Sequence, residues 1–197
     1  LGRLFDLIRL KSISADPAYK AEVRKAGEWC VAELAALGFE ASLRDTPGHP
    51  IVVAHWNGPV ANPDRHVLFY GHYDVQPVDP IGLWRADPFD PKIEKHESGV
   101  DVITGRGSAD DKGQLLIFIE ACRALIAEEG RLPVKVTVLL EGEEESGSPS
   151  LEPFLKANAA ELSHDIALVC DTNMWDRGRP AITASLRGLV GEVVKIR

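Results

Sequence analysis

The chain has 197 residues, of which 22 are Lys or Arg and 30 are Asp or Glu, so its formal net charge is −8. This acidic excess argues against a protein that binds nucleic acid or an anionic membrane, because either partner requires a basic surface. Hydrophobic residues at 45% and charged residues at 26% are typical of a globular domain with one sizeable core, and they exclude general disorder.

Two amphipathic helices are predicted first, because apolar residues recur at helical spacing over 1–10 and 18–37, and Gly38 follows where the second helix should end. Strands are then predicted over 39–43, 51–56 and 66–70, with Gly, Pro and Asn in the connections. A long polar loop follows over 76–107, with a short hairpin around Ile93 and 102–103.

The second half of the chain alternates helices with apolar strands. Helices are predicted over 113–129 and 151–162, and strands over 134–140, 166–170, 181–184 and 189–196. In the longer helix the residues expected to face inward are Leu116, Ile119, Ala121, Cys122 and Leu125. Two of the apolar runs, 134–140 and 166–170, are typical of strands buried on both faces. The alternation predicts an α/β fold, a three-layer sandwich with a mostly parallel central sheet.

A cytoplasmic location is expected. No apolar run reaches the roughly 18 to 20 residues of a membrane span, and the first residues lack the apolar core of a signal peptide. Three widely spaced cysteines, an odd number in apolar surroundings, are expected to be buried reduced thiols and neither disulfides nor nucleophiles: Cys30, Cys122 and Cys170.

Polar residues gather where the predicted strands end, and open α/β sheets bind ligands at the carboxyl ends of their strands. His72 and Asp74 follow the third strand, and in extended backbone positions i and i+2 project to the same side. That arrangement suits a metal-binding histidine oriented by a carboxylate. The alternative is an ordinary turn that contains a histidine and an aspartate.

Asp110 and Asp111 lie in a glycine-rich segment that opens the 113–129 helix. Its spacing matches neither a phosphate loop nor a dinucleotide-binding fingerprint. Helix capping is the simplest role for an aspartate at this position. Capping explains one of the two carboxylates, however, and leaves the second one and the glycines unexplained.

Four carboxylates occupy positions 141 to 145, directly after the 134–140 strand. Such charges raise one another's pKa unless water or a cation neutralises them, so a solvated loop and a cation site are both open. Asp171 repeats the pattern after the 166–170 strand. One histidine with several carboxylates and no sulfur ligand favours zinc, manganese or cobalt in a hydrolytic site. The excess of carboxylates favours a pair of bridged ions.

Three segments together, 71–77, 105–113 and 141–148, resemble in order and spacing the co-catalytic metallopeptidase family. Its members include carnosine dipeptidases, glutamate carboxypeptidase, aminoacylase, acetylornithine deacetylase and succinyl-diaminopimelate desuccinylase. Trp84 with 87–89, and the 186–188 segment, look most like the dipeptidase branch. The resemblance implies a zinc-exopeptidase-like fold and two zinc ions, with manganese or cobalt as alternatives.

The resemblance also implies roles for individual residues. His72 and Asp171 would hold one ion, Asp110 would bridge both ions, and Glu145 would hold the second. Glu144 would act as the general base, taking a proton from the water between the ions and returning it to the leaving amine. Asp74 would orient His72, and the peptide bond between Asp110 and Asp111 would be cis. No role follows for the remaining histidines, which are expected to be surface or strand residues: His49, His55, His66, His96 and His164.

In this family a further histidine of the second ion follows an inserted lid domain. We therefore expect residues 1–185 to be the N-terminal part of the metal-binding catalytic domain and 186–197 to begin the lid, through which the complete protein would form a homodimer. The implied function is hydrolysis of amide bonds in small peptides by a dipeptidase or related exopeptidase. An N-acyl-amino-acid deacylase, or an inactive metal-binding fragment, is the alternative.

Overall fold

The computed structural model describes residues 1–196. Its helices are α1 (Gly2–Arg9), α2 (Lys20–Ala36), α3 (Lys112–Glu129) and α4 (Leu151–Ala157). Its strands are β1 (Phe39–Arg44), β2 (Ile51–Trp56), β3 (Val60–His72), β4 (Lys92–Lys95), β5 (Asp101–Thr104), β6 (Leu132–Glu141) and β7 (Ile166–Val169). Short 3-10 turns lie at Pro17–Tyr19, Ile81–Leu83 and Glu144–Ser146.

The central sheet has the strand order β1-β2-β6-β3-β7. β3 runs parallel to both β6 and β7, whereas β2 is antiparallel to its two neighbours, so four of the five strands point in the same direction. This confirms the predicted mostly parallel sheet. His72 pairs with Glu141 at the carboxyl ends of β3 and β6, which brings these two ends to the same level.

Apolar residues alternate between the two faces of the sheet because successive side chains of a strand point to opposite sides. On β2, Val52 and Ala54 join the core beneath α1, α2 and α3, whereas Ile51 and Val53 join a smaller cluster with α4. Helices therefore cover both faces, as predicted. Phe118 of α3 stacks on Phe69 of β3 with ring centroids 4.0 Å apart, and this contact fixes α3 against the sheet.

Several predicted elements differ from the structure. The 166–170 run is an exposed edge strand and not a buried one, since it pairs only with β3 and the described residues leave its faces uncovered. No strand forms over 181–184 or 189–196 within the described residues, because these segments lie exposed with no neighbouring strand to complete a ladder. The predicted 151–162 helix ends already at Ala157.

Smaller corrections concern single residues. In α3, Leu115 is buried, whereas Ala121 and Leu125 are exposed, since the inward face lies about one position away from the predicted one. β3 begins at Val60, with an irregular register between Asn62 and His66. The expectation of a surface or strand position is wrong for His49, which is buried in the loop between β1 and β2.

The cysteines follow the prediction in part. All three are free, and Cys30 and Cys122 are buried, but Cys170 is only half-buried at the end of the edge strand. Among residues 1–196, none of the helices has both the length and the apolar composition that crossing a membrane requires.

Candidate metal centre

The four polar segments meet at one edge of the sheet. β3 ends at His72, β6 ends at Glu141 just before the 3-10 turn Glu144–Ser146, and β7 ends two residues before Asp171. Because β3, β6 and β7 run in parallel, their carboxyl ends lie side by side, and the Asp110–Asp111 segment that opens α3 joins them.

His72 lies at the middle of this cluster, with its side chain completely buried. Its Nε2 atom is 3.1 Å from Asp110 Oδ1 and 3.6 Å from Asp171 Oδ2. One donor atom from each of these three side chains lies within 4.8 Å of the other two. Glu144 Oε2 is 4.0 Å from the same imidazole nitrogen. The structure thus brings together four of the predicted site residues around one point.

Asp74 lies behind the imidazole and is also completely buried. Its Oδ1 atom is 3.3 Å from His72 Nδ1, and the same nitrogen is 3.1 Å from the Asp74 carbonyl oxygen. The Asp74 carboxylate also accepts hydrogen bonds from the backbone N–H groups of Glu144 (3.3 Å) and Glu145 (3.1 Å). One carboxylate therefore contacts both the imidazole and the turn that carries the two glutamates.

Asp111 does not cap the helix that follows it. It occupies the N-cap position of α3 without a side-chain capping bond, and its Oδ2 atom instead accepts the His72 backbone N–H at 3.0 Å. The peptide bond between Asp110 and Asp111 is cis, as the resemblance implied. The Asp110 side chain approaches His72 Nε2 from the open side, where it is 61% exposed, while Asp111 is fully buried.

Glu145 lies beside this cluster and does not join the group of three donor atoms. Its Oε2 atom accepts a hydrogen bond of 2.7 Å from the side-chain amide of Gln76. Burial raises the pKa of the Glu145 carboxyl, the bond from Gln76 opposes that rise, and the charge of Asp110 adds to it.

A model of peptidase family M20/M25/M40 matches residues 68–189, which is more than half of the chain and includes all of these site residues. The chain belongs to peptidase family M20/M25/M40. The predicted resemblance to co-catalytic metallopeptidases is thereby confirmed.

Curated relatives of this M20-family chain include dipeptidases. It is 31% identical over 199 residues to the Cys-Gly metallodipeptidase dug1 of Schizosaccharomyces pombe, a match that covers 95% of this chain and 40% of the relative. It is 37% identical over 124 residues to human Beta-Ala-His dipeptidase, covering 62% of this chain and 24% of the relative. The chain thus spans about two fifths of the length of dug1.

Solved structures of the family have the same fold. The metallo-carboxypeptidase Sso-CP2 of Sulfolobus solfataricus superimposes with a TM-score of 0.76 at 34% identity, over 87% of this chain and 37% of the other. The di-peptidase Dug1p of Saccharomyces cerevisiae also gives a TM-score of 0.76, at 28% identity over 88% of this chain and 38% of the other. These likenesses, together with the curated relatives, confirm the predicted dipeptidase branch.

In this M20-family chain two acidic residues at the end of β6, Glu141 and Glu143, are buried and accept hydrogen bonds, a role that the sequence reasoning missed. Glu141 accepts hydrogen bonds from the Tyr70 hydroxyl and from Ser148 Oγ (3.0 Å). Glu143 accepts the backbone N–H groups of His49 (2.8 Å) and Ser150 (3.1 Å). The solvated-loop interpretation is therefore wrong for both residues, which are 1% and 5% exposed.

Gly48 is the one residue whose identity in the sequence reflects the position of the Glu143 side chain. A Cβ atom on Gly48 would lie 1.5 Å from Glu143 Oε1, so the close approach of the 46–50 loop requires a glycine. That requirement becomes visible only once the loop and the turn are known to touch. Nothing in the sequence alone connects residues that lie this far apart in the chain.

The electrostatics of the M20-family site favour a bound cation. Burial opposes the charged form of His72, but its hydrogen bond to Asp74 and the surrounding carboxylates prevail and raise its pKa to about 10. Burial raises the pKa of Asp111 to about 7, and burial together with neighbouring carboxylates raises that of Glu144. Carboxylates this crowded stabilise any positive charge placed among them.

The donor set fits a divalent metal ion. Within residues 1–196, the carboxylates of Asp110, Asp171 and Glu144 form ion pairs with His72 and with no Lys or Arg. One imidazole nitrogen and several carboxylate oxygens are ligands that zinc, manganese and cobalt accept. A site that collects negative charge and contains no Lys or Arg to neutralise it is suited to bind such an ion.

Proposed function

We propose that this chain carries the metal centre of a dipeptidase, a metal-dependent hydrolase that cleaves the amide bond of small peptides. The convergence of His72, Asp110 and Asp171 within 4.8 Å, with Glu144 at their side, is the observation that carries this proposal. The curated relatives named above are dipeptidases, which favours that activity over an N-acyl-amino-acid deacylase.

The metal in this proposal is zinc, with two ions in the whole protein. His72 and Asp171 would hold one ion, Asp110 would contribute to both, and Glu145 would hold the other. The short distances from His72 Nε2 to Asp110 and Asp171, and the hydrogen bond from the Glu145 N–H to Asp74, support these assignments. When bound, such ions lower the pKa of water towards neutrality and polarise the substrate carbonyl.

Glu144 is the general base in this proposal. It lies on the 3-10 turn with its side chain 37% exposed, so it borders the centre and still reaches the open side. Its raised pKa lets the carboxylate accept a proton and hold it until the amine of the product leaves. Asp74 acts on the imidazole as the orienting residue, since it faces Nδ1 and keeps Nε2 directed at the ligand carboxylates.

For the whole protein we propose the expected division of the chain, with residues 1–185 in the catalytic domain and 186–197 at the start of a lid domain that forms a homodimer. The relatives' greater length supports this division. Arg197, the last residue of the second segment, lies outside the described residues. A cytoplasmic location is proposed as well, because three free thiols suit a reducing compartment.

The test is an assay of the whole protein with defined dipeptides. Cys-Gly and β-alanyl-histidine, the dipeptides for which these relatives are named, are suitable first candidates, with an N-acetyl amino acid as the comparison. We expect zinc-dependent release of free amino acids from at least one dipeptide, loss of activity after chelation, and recovery on adding zinc. Faster cleavage of the N-acetyl amino acid than of every dipeptide would contradict the dipeptidase proposal.

A further inference from the structure

Gln76 makes a contact with the metal centre that its position in a loop does not suggest. Its side-chain Nε2 atom donates a hydrogen bond of 2.7 Å to Glu145 Oε2 and a second one of 3.2 Å to the Glu145 carbonyl oxygen. One amide group therefore holds both the side chain and the backbone of the same residue. We propose that Gln76 is a positioning residue that sets the Glu145 carboxylate for the second metal ion.

This inference rests on the proposed function, in which Glu145 is a ligand. With the N–H of Glu145 bonded to Asp74 Oδ2 at 3.1 Å, Glu145 is fixed at its N–H, its carbonyl and its carboxylate. Asp74 and Gln76 are two positions apart in the segment that follows β3. The same stretch of chain thus orients His72 through Asp74 and Glu145 through Gln76.

The alternation of side chains explains how one segment reaches both ligands. His72, Asp74 and Gln76 occupy positions i, i+2 and i+4, whereas Tyr73 and Val75 are buried in apolar clusters. Side chains of extended backbone project alternately to opposite sides. The two buried residues therefore anchor the segment and turn its polar residues towards the centre.

Gln76 is itself held by the residues on either side of it. The Val75 N–H donates to the Ser12 carbonyl at 2.9 Å, and the Pro77 carbonyl accepts a bond of 2.9 Å from Arg106 Nη2. The Arg106 guanidinium in turn lies 5.1 Å from the centre of the Trp84 ring. Gln76 is exposed, yet these contacts fix the backbone on both sides of it, so its amide starts from a fixed position next to Glu145.

A neutral amide is suited to this role for an electrostatic reason. A lysine at the same position would neutralise Glu145 and repel a cation, whereas an amide fixes the carboxylate and leaves its charge intact. The bond uses Oε2, which leaves Oε1 for a metal ion. Hydrogen bonds that orient a ligand typically change metal affinity by about 10- to 100-fold when they are removed.

The test compares Gln76→Met with the wild type in the whole protein. The matched control is Asn57→Leu, which removes an exposed amide-to-carboxylate bond of 2.7 Å to Glu40, far from the centre. Stepwise affinity for zinc is measured by competition with a chelator, and the absorption spectrum of the cobalt-loaded protein reports the ligand geometry. We expect Gln76→Met to weaken the second ion by about 10- to 100-fold, to leave the first ion unchanged, and to alter the cobalt spectrum. Asn57→Leu should change none of these.

A double variant distinguishes positioning from a general structural role. If Gln76 acts through the Glu145 carboxylate, then Gln76→Met should have no further effect on second-ion affinity in a Glu145→Asp background, which keeps a carboxylate for the ion but draws it back from Gln76 by one methylene. Equal weakening of both ions, an additive loss in the double variant, or a change confined to the KM of the substrate would overturn the inference. If the wild type binds two ions and Gln76→Met binds the second ion as tightly as the wild type does, this inference is overturned and the proposed function is not. A wild type that binds no divalent ion overturns the proposed function as well.

Discussion

The backbone N–H of His72 donates to the Asp111 carboxylate, although Asp111 stands at the N-cap of α3, where a carboxylate usually bonds to its own helix. This bond of 3.0 Å connects the end of β3 to the start of α3. Since Asp110 directly precedes Asp111, the same connection places the Asp110 carboxylate next to the His72 imidazole. Asp111 therefore holds the two proposed ligands, His72 and Asp110, next to each other.

Loss of a ligand side chain should abolish tight metal binding. We expect His72→Ala and Asp110→Ala to weaken zinc binding by more than about 100-fold, because no neighbouring donor replaces either group. Asp110→Ala should be the more severe, since it removes the bridge between both ions. Isothermal titration measures this, with Asp64→Ala as the exposed control. Unchanged stoichiometry and affinity in Asp110→Ala would exclude the bridging role.

The two glutamates of the 3-10 turn should separate base from ligand. Glu144→Gln in the whole protein should keep its metal and lose at least about 100-fold in kcat, because an amide of the same shape cannot accept the proton. Glu145→Gln should lose one ion. Elemental analysis of both purified variants, beside the dipeptide assay, distinguishes them. The reverse pattern would mean that the two roles are interchanged.

The 197-residue chain by itself should bind one ion tightly and hydrolyse no dipeptide. His72, Asp110 and Asp171 supply the donors of one site, whereas Asp110 and Glu145 are the donors available to the other. Two carboxylates without a histidine provide little of the affinity that several converging ligands give. Metal content after dialysis measures the stoichiometry. Two tightly bound ions, or turnover by this chain, would show that the described residues or a second copy supply the missing ligand.

Asp111→Asn should change the pH dependence of stability in the metal-free protein. Burial raises the pKa of Asp111 from 3.8 to about 7, so the unfolded chain loses this proton first and the wild type loses stability as pH rises between these values. Asparagine has no proton to lose. The thermal midpoint of the variant minus that of the wild type should therefore increase by at least about 3 °C between about pH 4 and about pH 7.5. A difference that does not vary with pH would contradict this account.

Lys112→Met should destabilise the protein although it removes a buried amine. Lys112 Nζ donates to the Leu7 carbonyl at 3.0 Å and to the Leu10 carbonyl at 2.7 Å, at the end of α1. The variant removes one of two donors from each carbonyl, since the Leu10 N–H still donates to Leu7 at 3.2 Å and the Ser12 N–H to Leu10 at 2.9 Å. Loss of the two amine bonds should lower the free energy of unfolding by about 1 to 2 kcal/mol. Urea denaturation measures this loss, and Lys25→Met on the surface of α2 is the control.

The loss should also depend on pH. Burial lowers the pKa of Lys112 from 10.5 to about 7, so the folded protein favours the neutral amine. This contribution is complete above the ordinary pKa and disappears as pH falls towards about 7. The deficit of Lys112→Met should therefore be larger at about pH 9 than at about pH 7. An equal deficit at both values would show that folding does not lower the pKa of this amine into that range.

The hydrophobic pattern predicted most of the sheet because it is a local property of the chain. The strands predicted over 51–56 and 134–140 match β2 and β6 closely. The same reasoning predicted a buried strand over 166–170 and was wrong about its burial. An apolar run indicates a strand, but its exposure depends on which elements cover it, and that is not encoded in the run itself.

The sequence by itself determined where the candidate site lies. Its residues follow predicted strands or open a predicted helix: His72, Asp110, Glu144 and Asp171. Parallel strands bring such positions to one edge of the sheet, independently of the loop conformations. Only the tertiary structure decided how the acidic residues divide. Glu143 turns inward to the backbone at His49, Asp111 turns away from its helix to His72, and Glu145 is held by Gln76. The direction of a side chain in a turn depends on partners tens of residues away, so no local pattern could reveal it.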